Sequence, residues 1–252
     1  MRLCSSNIYI MIINDDCFNY ITTIPSNSID LVLVDPPYLI SRKSGFQNYS
    51  DGANDEMKTK YGQLSIDFGD WDKSEIDWNK LFSEYYRVLK TGGTVIFFYD
   101  IWKSNEIKEA AELSKFKQPR VCQWQKTNPV PVNSKLNYLS NAIEYFFTFV
   151  KIGKPTFNSE YDNGVYRYPI CHGKERSEHP TQKPLSLISD LIKKHSNPGD
   201  TVLDTFAGSG TTGHACILTD RKYILVEKEE KYFEIIKNRL KNLSTNDNFS
   251  NI

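Results

Sequence analysis

Two clusters in this sequence carry residue types that could do chemistry together. The first is Asp204-Thr205-Phe206-Ala207-Gly208-Ser209-Gly210-Thr211-Thr212-Gly213, with Glu227 nineteen residues after Gly208. Glycines let a backbone come close to a ligand, and a helix starting just after them adds positive potential. A carboxylate at the end of the next strand can accept both hydroxyls of a ribose. Gly208, Gly210 and Gly213 fall in the G-x-G-x-x-G spacing of dinucleotide-binding turns. The cluster therefore points to an adenosine-containing cofactor. It does not by itself separate a dinucleotide from S-adenosylmethionine, and a tight strand–helix turn with no ligand is the bland alternative.

The second cluster is Asp35-Pro36-Pro37-Tyr38, directly after an apolar run. Two prolines fix the backbone, so the Asp35 carboxylate, the Pro36 carbonyl and the Tyr38 ring keep set relative positions. An exocyclic amine on a heteroaromatic ring is a poor nucleophile. Acceptors on both of its N–H bonds raise electron density on the nitrogen, and a flat phenol can stack on the ring. That combination suits methylation of a nucleobase amine. Without a cofactor loop elsewhere, the tetrapeptide would read as a simple turn.

These clusters need elements to hold them. Residues 8–13 and 29–34 read as buried strands, the second ended by its prolines. The run 75–90 has helical apolar spacing, Thr91-Gly92-Gly93 stops it, and 94–99 is the next strand. A helix over 103–114 and strands near 120–124 and 143–150 follow. Residues 184–195 read as a helix with Pro184 in its first turn. A strand over 201–207, the glycine loop 208–213 leading into a helix ending near Thr219, a strand over 222–229 and a helix over 230–242 complete the pattern. Residues 243–252 are expected to fray. The polar stretch 39–75 reads as a long mobile loop, and 151–178 has no assignable periodicity. Strands alternating with helices imply an α/β fold with a parallel sheet covered on both faces. Ligands then sit at the carboxyl ends of the strands, where both clusters fall.

The chain has 252 residues, 39% hydrophobic and 25% charged, as ordinary globular proteins have. No apolar run approaches the roughly 18 residues of a membrane span, and no secretory signal opens the chain. Its five cysteines include no C-x-x-C pair. This argues against a disulfide framework or a zinc site, and no metal is expected. The cytoplasm fits best. Equal numbers of basic and acidic residues, 31 each, argue mildly against a nucleic-acid partner. The distribution argues the other way: residues 115–183 hold eleven Lys/Arg against five Asp/Glu, so +6, and residues 44–80 hold eight acids against four lysines, so −4. A basic central segment suits a phosphate-facing surface, although a solvated face with no ligand reads the same on charge alone.

The chain resembles the amino-methylating DNA methyltransferases with the permuted, β-class motif order. The target-amine motif Asp35-Pro36-Pro37-Tyr38 comes first. His179-Pro180-Thr181-Gln182-Lys183-Pro184 precedes the cofactor strand, and Phe206 to Thr211 comes late. Trp124-Gln125-Lys126-Thr127-Asn128-Pro129 and Asn141-Ala142-Ile143-Glu144-Tyr145 also look like segments of that family. The resemblance implies a Rossmann-like methyltransferase fold with a mostly parallel seven-stranded sheet, helices on both faces and a circularly permuted motif order. It covers residues 8–240, so 1–252 reads as a single catalytic domain with a small target-recognition insertion around 151–178. S-adenosylmethionine is the implied cofactor, and double-stranded DNA the implied partner. Asp in the tetrapeptide implies adenine N6 as target, against cytosine N4 for the Ser form. Asp35 and the Pro36 carbonyl would accept from the amine and Tyr38 would stack on the extruded base. Asp204, Phe206, Gly208, Ser209, Gly210 and Thr211 would line the methionine half of the cofactor. Glu227 would hold the ribose, Asp16 and Cys17 would contact the adenine, and Thr181 and Lys183 would reach the carboxylate. Arg167, Lys174 and Arg176 are the expected DNA contacts. A cognate restriction endonuclease and a homodimer are further partners the resemblance suggests. A nicotinamide-dependent oxidoreductase and an inert DNA-binding module are the readings from other classes. The first leaves Asp35 to Tyr38 unexplained, and the second leaves two intact motifs idle.

Overall fold

The computed structural model describes residues 10–37, 76–129, 142–177, 179 and 181–246. Tyr38 and the loop expected over 39–75 thus lie outside the described residues. Apart from Pro37 and Ile76, the described residues belong to one unit. In chain order the strands are β1 (Ile10–Asn14), β2 (Ile29–Val34), β3 (Leu89–Phe98), β4 (Lys117–Lys126), β5 (Ile143–Val150), β6 (Val165–Tyr168), β7 (Thr201–Asp204) and β8 (Lys222–Glu227). The helices are α1 (Cys17–Tyr20), α2 (Trp78–Val88), α3 (Ser104–Leu113), α4 (Leu185–His195), α5 (Thr211–Leu218) and α6 (Glu230–Asn246). None of these helices is long and apolar enough to cross a membrane.

The strands form one sheet in the order β1-β8-β7-β2-β3-β5-β4-β6. The first five in that order pair in parallel, and β6 pairs in parallel with β4. Only β5 is reversed among the described strands, antiparallel to both β3 and β4. The runs that read as continuous apolar stretches are the central ones: in β2 only Asp30 escapes full burial, and β3 is buried from Gly92 onward. That is the pattern of a parallel strand covered on both faces.

Two features of this order position the site. From β2 the chain passes through α2 to β3 on one side, while from β7 it passes through α5 to β8 on the other. The direction of winding therefore reverses between β7 and β2, and the crevice at a sheet's carboxyl edge opens at such a reversal. Right-handed crossovers put α2 and α5 on opposite faces. The second feature is the reversal of β5: its first residues, not its last, stand at the edge where the parallel strands end. Glu144 thereby lies opposite Trp124, close to the end of β4.

The core on the α2 side is aromatic. Phe82 packs against Phe97, Phe116 and Phe149 at centroid distances of 5.2, 6.0 and 5.5 Å. The last two meet edge-on, and such pairs add to the stabilisation from burial itself. Tyr85 of α2 reaches across the crevice line, and its hydroxyl lies 2.5 Å from the Thr205 hydroxyl, just after β7.

The sheet has eight strands where seven are expected. The extra one is β6, from the segment without readable periodicity. Its four residues, Val165 to Tyr168, are too few to show a period. They are held by pairing with β4 and by the Trp124 indole N–H donating to the Tyr168 carbonyl at 2.9 Å. The third strand begins at Leu89, earlier than the expected 94, because Leu89 pairs with Ile29 before a register shift. The last helix runs on to Asn246, past the expected 242.

Candidate active site

The glycine loop joins β7 to α5. Gly208 and Gly210 both have left-handed backbones, with φ of 52° and 76°. A side chain there would be strained by conformation alone, and a Cβ at Gly208 would sit 3.0 Å from His179 Nε2. The loop is tied from three sides. The Gly208 N–H donates to Glu227 Oε2 at 2.7 Å. Arg239 of α6 donates to the Ser209 carbonyl at 3.0 Å and to the Thr211 hydroxyl at 3.2 Å. Asp204 accepts from the Phe206 N–H at 3.0 Å and from the Thr212 hydroxyl at 2.6 Å.

Asp204 thus spends its carboxylate on the shape of the loop. Burial pushes it up to about 7. The Thr212 and Phe206 donors oppose that rise, and the charges of Asp35 and Glu227 reinforce it. A carboxyl raised by folding stabilises the fold most below about pH 4, and that contribution is lost as pH rises through 7. Asp204→Asn should therefore melt closer to, or above, the parent at pH 8 than at pH 5. The expected swing is several degrees in Tm difference, read by thermal melting across that range. A difference that does not change with pH would contradict this environment.

Glu227 ends β8 and is buried. Its other oxygen, Oε1, accepts from the Glu229 N–H at 2.9 Å. Burial raises its pKa, and the Glu229 and Gly208 N–H groups oppose the rise. The end of β1 lies alongside, with the Asp15 N–H donating to the Glu227 carbonyl at 3.2 Å. Asp16 caps α1 by accepting from the Phe18 N–H at 2.9 Å and meets Lys228 at 3.2 Å. Cys17 is buried and its thiol is pushed up to about 12, first by burial and then by Asp16. It stays a thiol and adds an apolar wall. Asp16, Cys17, Glu227 and Gly208 therefore form one continuous rim.

Asp35 follows β2, across the winding reversal from Asp204. Pro36 beside it is buried. Asp35 pairs with Lys183, whose Nζ lies 2.5 Å from Asp35 Oδ2 and 3.3 Å from a Glu144 oxygen. Glu144 in turn meets Lys126 at 2.8 Å. Lys183 is 8% exposed. A lone ammonium there would be costly to bury, and two carboxylates compensate it. Burial would lower its pKa, but Asp35 and Glu144 outweigh that and hold it raised. Burial would likewise raise Glu144, but Lys183 and Lys126 bring it below the usual range. The ammonium expected to reach a cofactor carboxylate is thus engaged with protein carboxylates.

The loop that carries Lys183 also touches the glycine turn. The His179 ring lies over Gly208 and against Tyr232 at a centroid distance of 4.5 Å. Burial, then Lys183, lowers it to about 4, so it is neutral at neutral pH. His179 therefore touches the glycine turn and Lys183 touches Asp35, and Thr181 is half-buried.

Of the expected DNA contacts, two side chains are described and both are exposed. Arg167 stands on β6, exposed, its Nε donating to Gln125 at 3.0 Å. Arg176 is exposed, and the side chain of Lys174 lies outside the described residues. The 151–178 segment is pinned to α4: Asp162 accepts from Tyr166 at 3.2 Å and pairs with Lys194 at 2.8 Å, and the Tyr168 hydroxyl donates to Asp190 at 3.0 Å.

Sequence reasoning gave no role to Glu144, Lys126 or Arg239. The first two sit in segments noted for their likeness to a family, but no local pattern marks them as neighbours of Asp35. Among the described residues no group of three or more His, Cys, Asp or Glu side chains could hold a metal ion.

Comparison with known proteins agrees with this geometry. The family described as DNA methylase matches residues 29–238. Type II methyltransferase M2.MboI of Moraxella bovis is 30% identical over 92% of this chain and 86% of its own. Type II methyltransferase M.HinfI of Haemophilus influenzae is 30% identical over 94% of this chain and 70% of its own. The crystal structure of an M1.HpyAVI–SAM complex superposes with a TM-score of 0.68 at 27% identity, over 92% of this chain and 98% of that one.

Proposed function

The chain belongs to the DNA methylase family, and we propose that it methylates the N6 amine of an adenine flipped out of double-stranded DNA at a specific sequence. Its methyl donor is S-adenosylmethionine, which supplies a methyl group already activated on a sulfonium. The residues present suit that group. Glu227 is a buried, rigidly held acceptor of the kind a ribose diol needs, and the glycine turn brings bare backbone to the start of α5. Asp204, Phe206, Ser209, Gly210 and Thr211 would then border its methionine half, with Asp16 and Cys17 at its adenine.

The observation that carries the reading is the placement of Asp35 and the glycine turn on the two sides of one winding reversal, with Lys183 touching the first and His179 the second. Methyl transfer to an amine needs alignment above all, and groups fixed at strand ends supply it. The Asp35 carboxylate and the Pro36 carbonyl accept from the amine, and Tyr38 stacks on the base. Positive charge develops on the nitrogen as it gains the methyl, so a carboxylate beside it stabilises the transition state more than the ground state. Extrusion of the base costs a few kcal/mol, offset in the pocket.

In this reading residues 1–252 are one catalytic domain in which the 151–178 insertion reads the DNA through Arg167, Lys174 and Arg176. A cognate restriction endonuclease, pairing as a homodimer and a cytoplasmic location belong to the same reading. The test is to incubate the protein with S-adenosylmethionine and DNA of mixed sequence, then to map modified bases by sequencing. N6-methyladenine in one sequence context is expected. N4-methylcytosine as the product would overturn the choice of base.

A further inference from the structure

Four charged side chains run in a line from the recognition edge of the sheet to the target-amine motif. Lys126 ends β4, Glu144 is the second residue of the reversed β5, Lys183 precedes α4 and Asp35 follows β2. The links measure 2.8 Å from Lys126 to Glu144, 3.3 Å from Glu144 to Lys183 and 2.5 Å from Lys183 to Asp35. The signs alternate and sum to zero. Lys183 also lies over the Phe98 ring at 5.1 Å, which fixes where its ammonium can go.

This arrangement solves a conflict in the chemistry proposed above. A carboxylate meant to steady a growing positive charge is weakened when a lysine sits on it. Paired with Lys183 alone, Asp35 would present a neutral pair to the amine. Glu144 on the far side of the same ammonium gives these three a net charge of −1, and the balancing Lys126 stands one link further from Asp35. We infer that Glu144 is a positioning residue for methyl transfer: acting through Lys183, it fixes the orientation of Asp35 and keeps the field at the target amine negative. The inference rests on Asp35 facing the amine. Among the described residues, Asp204 lies close enough to the line to feel the charge of Asp35, and His179 feels that of Lys183.

Charge bookkeeping gives the two single variants opposite signatures. Glu144→Gln removes an anion from the neighbourhood of Asp35, so Asp35 takes up a proton less readily. The acid limb of the kcat–pH profile should move to lower pH. At its plateau kcat should fall about tenfold, and KM for DNA and for S-adenosylmethionine should stay within about threefold. Lys183→Met leaves two carboxylates facing each other without a cation, so one holds a proton, and the acid limb should move to higher pH. The double variant should show a limb between the two.

The experiment is a full kcat and KM profile from pH 5 to 9 on parent, Glu144→Gln, Lys183→Met and the double variant, with Asp35→Ala as reference. Limb shifts of opposite sign support the assignment. Profiles that coincide, with only the melting temperature lowered, overturn it, and so does a loss confined to KM. If Lys183→Met does not fold, the Glu144→Gln profile decides alone, since its amide can still accept from Lys183 and Lys126. An active Asp35→Ala protein would instead count against the function proposed above, whatever the profiles show.

Discussion

Asp35→Ala is expected to lower methyl transfer at least about 1,000-fold, a barrier increase of about 4 kcal/mol, while S-adenosylmethionine binding stays within about twofold of the parent. The argument starts from what Asp35 touches. Its carboxylate follows the last strand residue, Val34, and a buried Pro36 comes next, so the side chain leaves the sheet edge in one direction. Lys183 holds Oδ2 at 2.5 Å. A carboxylate accepts up to about four hydrogen bonds, so one contact with Lys183 does not bar it from a target amine. The Gly208 N–H is held by Glu227 at 2.7 Å, a bond that does not involve Asp35, which is why binding should survive. The fold should survive as well, because Lys183 keeps Glu144 as its counter-charge. Asp35→Asn keeps the shape and one acceptor but loses the charge, and should fall between, about 10- to 100-fold down. Tritium transfer from labelled S-adenosylmethionine into DNA measures the rate, and calorimetry measures the binding. A rate for Asp35→Ala within tenfold of the parent would remove Asp35 from the chemistry.

The parts of this site that could be read from the sequence are those whose signal is local. Prolines at 36 and 37 end a buried strand whatever surrounds it, so the position of Asp35 follows from its immediate neighbours. Gly208 and Gly210 announce backbone that other residues disfavour, and both do sit at positive φ. What could not be read depends on strands meeting out of order. Glu144 lies near Asp35 only because β5 is inserted in reverse between β3 and β4, which places its first residues at the carboxyl edge. No feature of Asn141 to Tyr145 encodes that reversal. The partners of Lys183 were hidden for the same reason: a lysine reads as a surface cation until two carboxylates from distant strands are found around it. Four residues of β6 carry too little pattern to register, yet β4 gives them an edge to pair with. Asp204 is a milder case. Its place at the end of β7 was legible, but its use in bonding the Phe206 N–H and the Thr212 hydroxyl follows from a turn tight enough to bring those donors back to it.

Glu227→Ala should have the complementary effect: the Kd for S-adenosylmethionine should rise about 100- to 1,000-fold, which is about 2.7 to 4.1 kcal/mol, with kcat at saturating cofactor largely kept. Two losses combine. The proposed ribose acceptor goes, and the N–H groups of Gly208 and Glu229, at 2.7 and 2.9 Å from the two carboxylate oxygens, lose their partners. An orphaned buried donor costs about 1 to 3 kcal/mol, so the Gly208 turn should also loosen. Glutamine is no gentle substitute at this position. Both carboxylate oxygens face a donor, and an amide offers one acceptor and two donors, so one N–H would meet another. Glu227→Gln is therefore expected to weaken binding at least about tenfold despite its matching shape. Thermal shift separates the readings. S-adenosylmethionine should stabilise the parent and Asp35→Ala alike and fail to stabilise Glu227→Ala, while NAD should shift none of them. Stabilisation by NAD that disappears with Glu227 would return the glycine loop to the dinucleotide reading its spacing also allows. Equal stabilisation of Glu227→Ala and parent by S-adenosylmethionine would place the ribose elsewhere. The two variants thus divide the site along its winding reversal: one side should govern affinity for the methyl donor, the other the rate at which the methyl leaves it.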